Sequence, residues 1–382
     1  MDIPLKFKLF KSASELPEEW DEIGGNIFLS KDYLSVLETS APLNMTCFFI
    51  GVFNDGILCG KAICQFLDLS NIKSFGERDN CIKNKIRTFV FRQFSSNVLI
   101  VGNNMLTGEH GCFFSPGCSI TNAMESLHGA VGQIIKELRD SGFKTHQIIW
   151  KDFADEDTEY FKQASFHDFY RFSTQPNMVL QIPSEWESSD DYLSALTKKY
   201  RDQYKRVTKK TSGLIKRKMG VDEIRANHEK INQLYLTVAR NAPFNTFYLH
   251  QNHFVELKQK LKDKFLFYGY FNNEELIGFN TLIKNGKDID TYFLGYDEIL
   301  QREKMLYLNM LYDMVAYSVN KKFKRIIFAR TALEIKSSVG AKPVNLIGFI
   351  KHRNPVLNYL MPVLFKYFEP EIEWQQRHPF KE

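Results

Sequence analysis

The feature that most limits how this chain can fold is an internal repeat. Phe48-Phe49-Ile50-Gly51-Val52-Phe53-Asn54-Asp55-Gly56-Ile57-Leu58-Cys59-Gly60 and Leu266-Phe267-Tyr268-Gly269-Tyr270-Phe271-Asn272-Asn273-Glu274-Glu275-Leu276-Ile277-Gly278 align without a gap. Phe49 and Phe267, Gly51 and Gly269, Phe53 and Phe271, Asn54 and Asn272, Leu58 and Leu276, and Gly60 and Gly278 coincide. Each copy is an alternating strand, an Asn-Asp or Asn-Asn turn and a returning strand, which is a β-hairpin signal. The same order of elements follows each copy. After the first come a strand at Asn97–Gly102, a helix at about Thr121–Arg139 and a strand at Thr145–Trp150. After the second come a strand at Thr291–Leu294, a tight turn at Gly295-Tyr296-Asp297, a helix near Lys304–Asn320 and a strand at Arg325–Ala329. Leu127, Val131, Ile134 and Leu138 recur at helical spacing in one helix, and Leu308, Leu311, Val315 and Val319 in the other. A hairpin followed twice by strand, helix and strand points to duplication. The expected fold class is α/β, with two mixed sheets flanked by helices. The polar stretch Pro183–Asp190 sets the boundary, giving domains 1–182 and 190–382.

Composition agrees with this. A chain of 382 residues is long for one core. Its 33 Phe and 17 Tyr fit large cores or an apolar pocket and do not separate the two. The first twenty residues mix Lys and Glu with short apolar pieces, unlike a signal peptide. No window approaches the roughly 20 apolar residues of a membrane span. Cys47, Cys59, Cys64, Cys81, Cys112 and Cys118 form no Cys-x-x-Cys and no zinc-finger spacing with His. Reduced thiols in a cytoplasmic protein are expected. His250 and His253 stand at i, i+3 without a third ligand nearby, so no metal is expected. Neither a Gly-x-Ser-x-Gly elbow nor a phosphate-binding lysine loop occurs, which argues against a hydrolase triad and an NTPase.

Three groups of residues carry chemistry. Just past a strand end, Arg330, Glu334 and Lys336 combine two cations with one carboxylate. That is the equipment for an anionic ligand and proton transfer, in the region where α/β folds bind substrates. Glu334 is the expected proton acceptor, and Arg330 and Lys336 the charge stabilisers; a local ion network is the plainer alternative. Tyr292 and Asp297 would border the same cleft, although Asp297 also suits a turn. Between Lys198 and Lys218 there are ten Lys or Arg and one acid, Asp202. Leu193, Leu196, Tyr200, Tyr204 and Val207 take one face of this segment. Lys205, Arg206, Lys209 and Lys210 therefore form either a solvated face or an anion-binding surface for coenzyme A, an acyl-carrier protein, transfer RNA or anionic lipid. Finally, Pro355–Phe368 reads as an apolar helix, either packed on the second domain or lying on a membrane surface.

The order of a helix, a hairpin, a strand, a helix and a strand resembles the GNAT acyltransferase fold. Two copies in tandem resemble the Fem-like, peptidoglycan-biosynthesis-type acyltransferases. The resemblance spans nearly the whole chain. It is most specific at 199–206, at Leu294-Gly295-Tyr296-Asp297 and at Arg330–Ala341. It implies a cytoplasmic N-acyltransferase with two tandem GNAT-like domains, the first degenerate and the second catalytic. The donor would be acyl-CoA or acyl-carrier protein, and the acceptor an amine, such as a lipid amine or a cell-envelope precursor. Peripheral contact with the inner face of a membrane stays open, and DNA is not an expected partner. Two alternatives stand beside it: Fem-type aminoacyl transfer from tRNA to a peptidoglycan precursor, and a non-catalytic binding module. The second half departs from the usual GNAT pattern at one place. Gln301-Arg302-Glu303-Lys304 stands where a glycine-rich phosphate turn is usual. The first half has Gly102, Gly108, Gly111 and Gly117 between strand and helix, which suit either a phosphate turn or a long surface loop.

Overall fold

The structure, a computed structural model, describes residues 5–70, 95–173, 175–242, 245–368 and 374–381, without the side chains of 364–368. Cys81 lies outside them. In chain order the strands are β1 (Lys6–Phe10), β2 (Met45–Asn54), β3 (Ile57–Asp68), β4 (Asn97–Val101), β5 (Cys112–Phe114), β6 (Gln147–Phe153), β7 (Tyr170–Ser173) and β8 (Asn177–Gln181). They continue as β9 (Ile215–Lys218), β10 (Phe265–Asn272), β11 (Glu275–Asn285), β12 (Asp288–Tyr296), β13 (Arg325–Ile327), β14 (Lys342–Val344) and β15 (Ile347–His352). They form two mixed sheets. One has the order β1-β2-β3-β4-β6-β15-β7, with β5 beside β3; the other has the order β9-β10-β11-β12-β13-β8-β14.

The repeat read from the sequence is present down to its irregularity. β2 and β3 pair antiparallel with a register shift between Val52 and Phe53, and β10 and β11 shift between Tyr270 and Phe271. Both turns use two left-handed residues, Asp55 and Gly56 in one, Asn273 and Glu274 in the other. This is the geometry that matches strand twist in two-residue hairpins. In each sheet a strand antiparallel to the hairpin is parallel to the strand after the helix, β4 with β6 and β12 with β13. The connecting helices are Ile120–Asp140 and Leu306–Asn320. Each buries the stripe the spacing predicts, with Leu127, Val131, Ile134 and Leu138 against the first sheet and Leu308, Leu311, Val315 and Val319 against the second. Full burial of each such side chain contributes about 1.5–3 kcal/mol.

A linear split at 183–190 does not describe the domains. One compact unit comprises Met1–Thr174, Pro243–His250 and Asn345–Glu371; the other comprises Gln175–Ala242, Gln251–Val344 and Ile372–Glu382. The cause is a reciprocal strand exchange. After β7 closes the edge of the first sheet, the chain passes to the second, where β8 pairs with β13. After β14 closes the edge of the second sheet, the chain returns and β15 inserts between β6 and β7 of the first. The helix Pro355–Phe368 therefore belongs to the first unit, not the second. Its Asn358 accepts a hydrogen bond from His352 N and donates one to Asp168 O, each 2.8 Å. Val356, Tyr359 and Val363 of this helix are exposed. No helix among the described residues is long and apolar enough to cross a membrane.

Candidate functional site

The two sheets differ where the strand after the hairpin meets its parallel partner. In the second unit, Leu282 faces Thr291 and Asn280 faces Leu294, so Tyr292 and Phe293 together oppose Thr281. Two residues against one is a β-bulge, which bends a strand and is common beside active sites. The Thr281 hydroxyl donates to Phe293 O (2.6 Å) and holds the bulge. Pairing of β12 with β13 covers only Asp288–Asp290 against Arg325–Ile327, although β12 runs on to Tyr296. The parallel strands thus part beyond Asp290, leaving a wedge at their carboxyl ends, where α/β folds bind ligands.

The segment that leaves β13 is strained. Ala329, Thr331 and Ala332 all have positive φ, at 60°, 67° and 47°. Such residues cost about 1–3 kcal/mol each and persist only where their surroundings fix them. Here Arg330 Nε donates to Gln175 O (2.9 Å) and Thr331 N to Gln175 Oε1 (3.3 Å). The Lys336 ammonium donates to the carbonyls of Ala329 (3.2 Å) and Arg330 (2.6 Å). Lys336 is only 5% exposed. Burial lowers its pKa to about 7, because removing a charge from water favours the neutral amine. Two of its three N–H positions serve those carbonyls, which leaves one position on nitrogen for a reactant.

The other sequence-derived candidates take different places. Glu334 bonds to neither Arg330 nor Lys336. Its carboxylate accepts from Arg377, at 3.0 Å from Nε and with a second contact from Nη2, so it anchors the C-terminal tail. The expected Arg330, Glu334 and Lys336 cluster is accordingly split, with Arg330 and Lys336 meeting only through the Arg330 carbonyl. Tyr292 hydrogen-bonds His253 Nε2 through its hydroxyl (2.9 Å), and His253 is fully buried. Asp297 caps the helix Glu298–Lys304, accepting from Ile299 N (3.0 Å) and Leu300 N (2.9 Å). Gly295 is not a turn glycine. It lies in β12, and a Cβ there would stand 2.6 Å from the backbone of the helix His228–Arg240. Lys205, Arg206, Lys209 and Lys210 are exposed on the helix Lys198–Thr211. Lys210 donates to Glu303 O (3.0 Å), which sets this basic face beside the helix Glu298–Lys304.

His253, which its sequence context favoured as a surface or core residue over half of a metal pair, is buried and meets Tyr292 on a distant strand. Among the described residues no His, Cys, Asp and Glu group is arranged to hold a metal ion. Burial pushes the Cys47 and Cys112 thiols up to about 12 and Cys64 higher, so none of these is a ready nucleophile.

In each unit a bent hairpin leads to a strand, a helix and a parallel strand that parts from the first. Two such mixed sheets in tandem make up the fold. FemX shares this fold over 92% of this chain and 98% of its own, with a TM-score of 0.53 and 11% identity. A tandem GNAT protein from the clavulanic acid biosynthesis pathway covers 92% of this chain and 98% of its own, at a TM-score of 0.49 and 9% identity. L-PGS from Bacillus licheniformis covers 93% and 100%, at 0.46 and 12%. At such identities the likeness to FemX shows the fold alone. No family model matches the sequence, and no curated protein matches it.

Proposed function

We propose that this chain is an N-acyltransferase that moves an acyl group from acyl-CoA to an amine, with the chemistry in the second unit. The observation that carries this reading is the buried Lys336 at the end of β13, beside strands that part beyond Asp290. The amine nitrogen attacks the thioester carbonyl, a C–N bond forms and the C–S bond breaks. Neutral Lys336 takes the proton the amine loses and returns it to the departing thiolate. A pKa near 7 suits a group that must both accept and donate near neutral pH. Arg330 adds positive potential beside it, and the Tyr292–His253 pair fixes the bulged wall. Lys336 thereby replaces Glu334, whose carboxylate is held by Arg377. The donor's phosphates would meet Lys205, Arg206, Lys209 and Lys210 rather than backbone N–H groups, because a helix stands where a glycine-rich turn is usual.

The same exposed basic face favours a second reading, Fem-type transfer from tRNA. One experiment separates them. Thiol release is followed with a panel of acyl-CoA donors and amine acceptors. Wild type and a variant with all four cations changed to Gln are then titrated with acyl-CoA and with tRNA over a salt series. Acyl-CoA turnover with weak RNA binding supports our reading. Saturable tRNA binding whose steep salt dependence disappears in the variant supports the second, since each phosphate contact releases counterions. Absence of both would leave a binding module on a transferase fold.

A further inference from the structure

The first unit has its own wedge, and its chemistry differs. Beyond the pair Val101↔Trp150, the residues Cys112–Phe114 and Lys151–Phe153 enclose a cavity of about 230 Å³. Val101, Phe114 and Phe153 line it from the sheet, and Ile120 and Met124 from the helix Ile120–Asp140. The volume falls below the roughly 300–1,000 Å³ of pockets for drug-sized ligands, so a small occupant is required.

Four charged residues border the cavity. Two of them answer each other: the Lys151 ammonium bonds Asp152 and donates to Leu106 O (2.7 Å), and Asp152 accepts from Gly108 N (3.0 Å). That pair ties the loop before β5 across the end of β6. The other two, Glu109 and Asp157, also line the cavity, and burial, with Asp157 nearby, holds the Glu109 carboxyl above its usual range. Glu109 also accepts from Ala154 N (3.1 Å). Two carboxylates lining one cavity disfavour each other's charge, and a cation between them relieves that. A phosphate or a carboxylate would face two acids, with Lys151 already engaged by Asp152.

We propose that this cavity binds a small molecule with an apolar body and one protonated amine, the amine bridging Glu109 and Asp157. The site stands independently of the transfer reaction. Its test uses no acyl donor, so a failed transfer assay leaves it intact. The full chain is titrated calorimetrically with benzylamine, benzyl alcohol, benzoate and coenzyme A. Benzylamine should bind at least about 10-fold more tightly than benzyl alcohol, because charge-assisted hydrogen bonds are the stronger ones. Benzoate and coenzyme A should show no binding that Met124→Trp removes. The double variant Glu109→Gln with Asp157→Asn should lose about 10-fold or more in benzylamine affinity. Met124→Trp, which fills the apolar end, should abolish binding while circular dichroism stays unchanged. Lys336→Met should leave it untouched. Binding of benzoate in preference to benzylamine, binding insensitive to both cavity variants, or no benzylamine binding at all would overturn the proposal.

Discussion

The two hairpins share their register shift and turn conformation, yet the strands beside them are interrupted in different ways. In the second unit the interruption opposite Thr281 is the two-residue bulge Tyr292–Phe293. In the first unit Cys64 pairs with Val101 and Ala62 with Cys112, so the segment Gly102–Gly111 opposes Ile63 at the same place in the hairpin. Ile63 bonds both ends of that excursion, donating to Gly111 O and accepting from Gly102 N, each 2.9 Å. The ends close so tightly that a Cβ on Gly111 would lie 2.7 Å from Gly102 Cα. Gly102 and Gly111 therefore serve to close a pinched loop. A single weak point in the strand has become a bulge in one copy and a loop in the other. The hairpins stay alike because they frame a core; the strands beside them diverge.

The largest expected effect would break the assignment of chemistry to the second unit. Lys336→Met should lower acyl transfer by roughly 10²–10⁴-fold, the range of general acid–base contributions. Steady-state turnover, with the fold checked by circular dichroism, decides this; a loss under about threefold would move the chemistry elsewhere. The same lysine should leave a mark on stability. Burial holds its folded pKa near 7, below the usual lysine value of 10.5. Between those values the unfolded chain binds more protons, so stability should rise as pH increases from about 7 to about 10. Urea titrations at several pH values would show this slope in wild type and its reduction, by up to a few kcal/mol over the window, in Lys336→Met.

A smaller effect would sharpen the comparison of strands. The residue equivalent to Gly295 in the first unit is Phe113, since both oppose equivalent hairpin positions, Phe279 and Lys61. In the second unit a helix backbone packs onto that position. Gly295→Ala should destabilise by about 1–3 kcal/mol, as overpacking does. A neutral outcome in thermal unfolding would mean that the helix His228–Arg240 yields. The two hairpin turns offer a finer test. Glu274 occupies a left-handed position (φ 69°) where the first copy has Gly56 (φ 84°). Glu274→Gly should stabilise by about 1 kcal/mol, because a side chain at that conformation costs roughly 1–2 kcal/mol. The smallest effect concerns Glu334, whose side chain is 49% exposed. Glu334→Gln should cost about 0–1 kcal/mol, as exposed ion pairs do, and leave turnover nearly unchanged.

Local pattern determined a good deal of this protein. The hairpins, both connecting helices and their buried stripes were legible because alternation and helical spacing report which face is apolar. Asp297 was legible as a turn residue, since a short carboxylate before a helix caps it whatever the wider fold. Tertiary structure alone decided the rest. Short strands such as β7, β8, β14 and β15 carry no mark of their partner, so the exchange that undoes a linear domain boundary was invisible. Arg330, Glu334 and Lys336 look like a cluster in sequence, but on a short helix Glu334 turns to Arg377 while Lys336 folds back under its own strand end. The bulge at Tyr292 and the partner of His253 depend on backbone register between distant segments. Side-chain chemistry is written in the sequence; which groups meet, and how dry the place of meeting is, depends on contacts that only the folded chain makes.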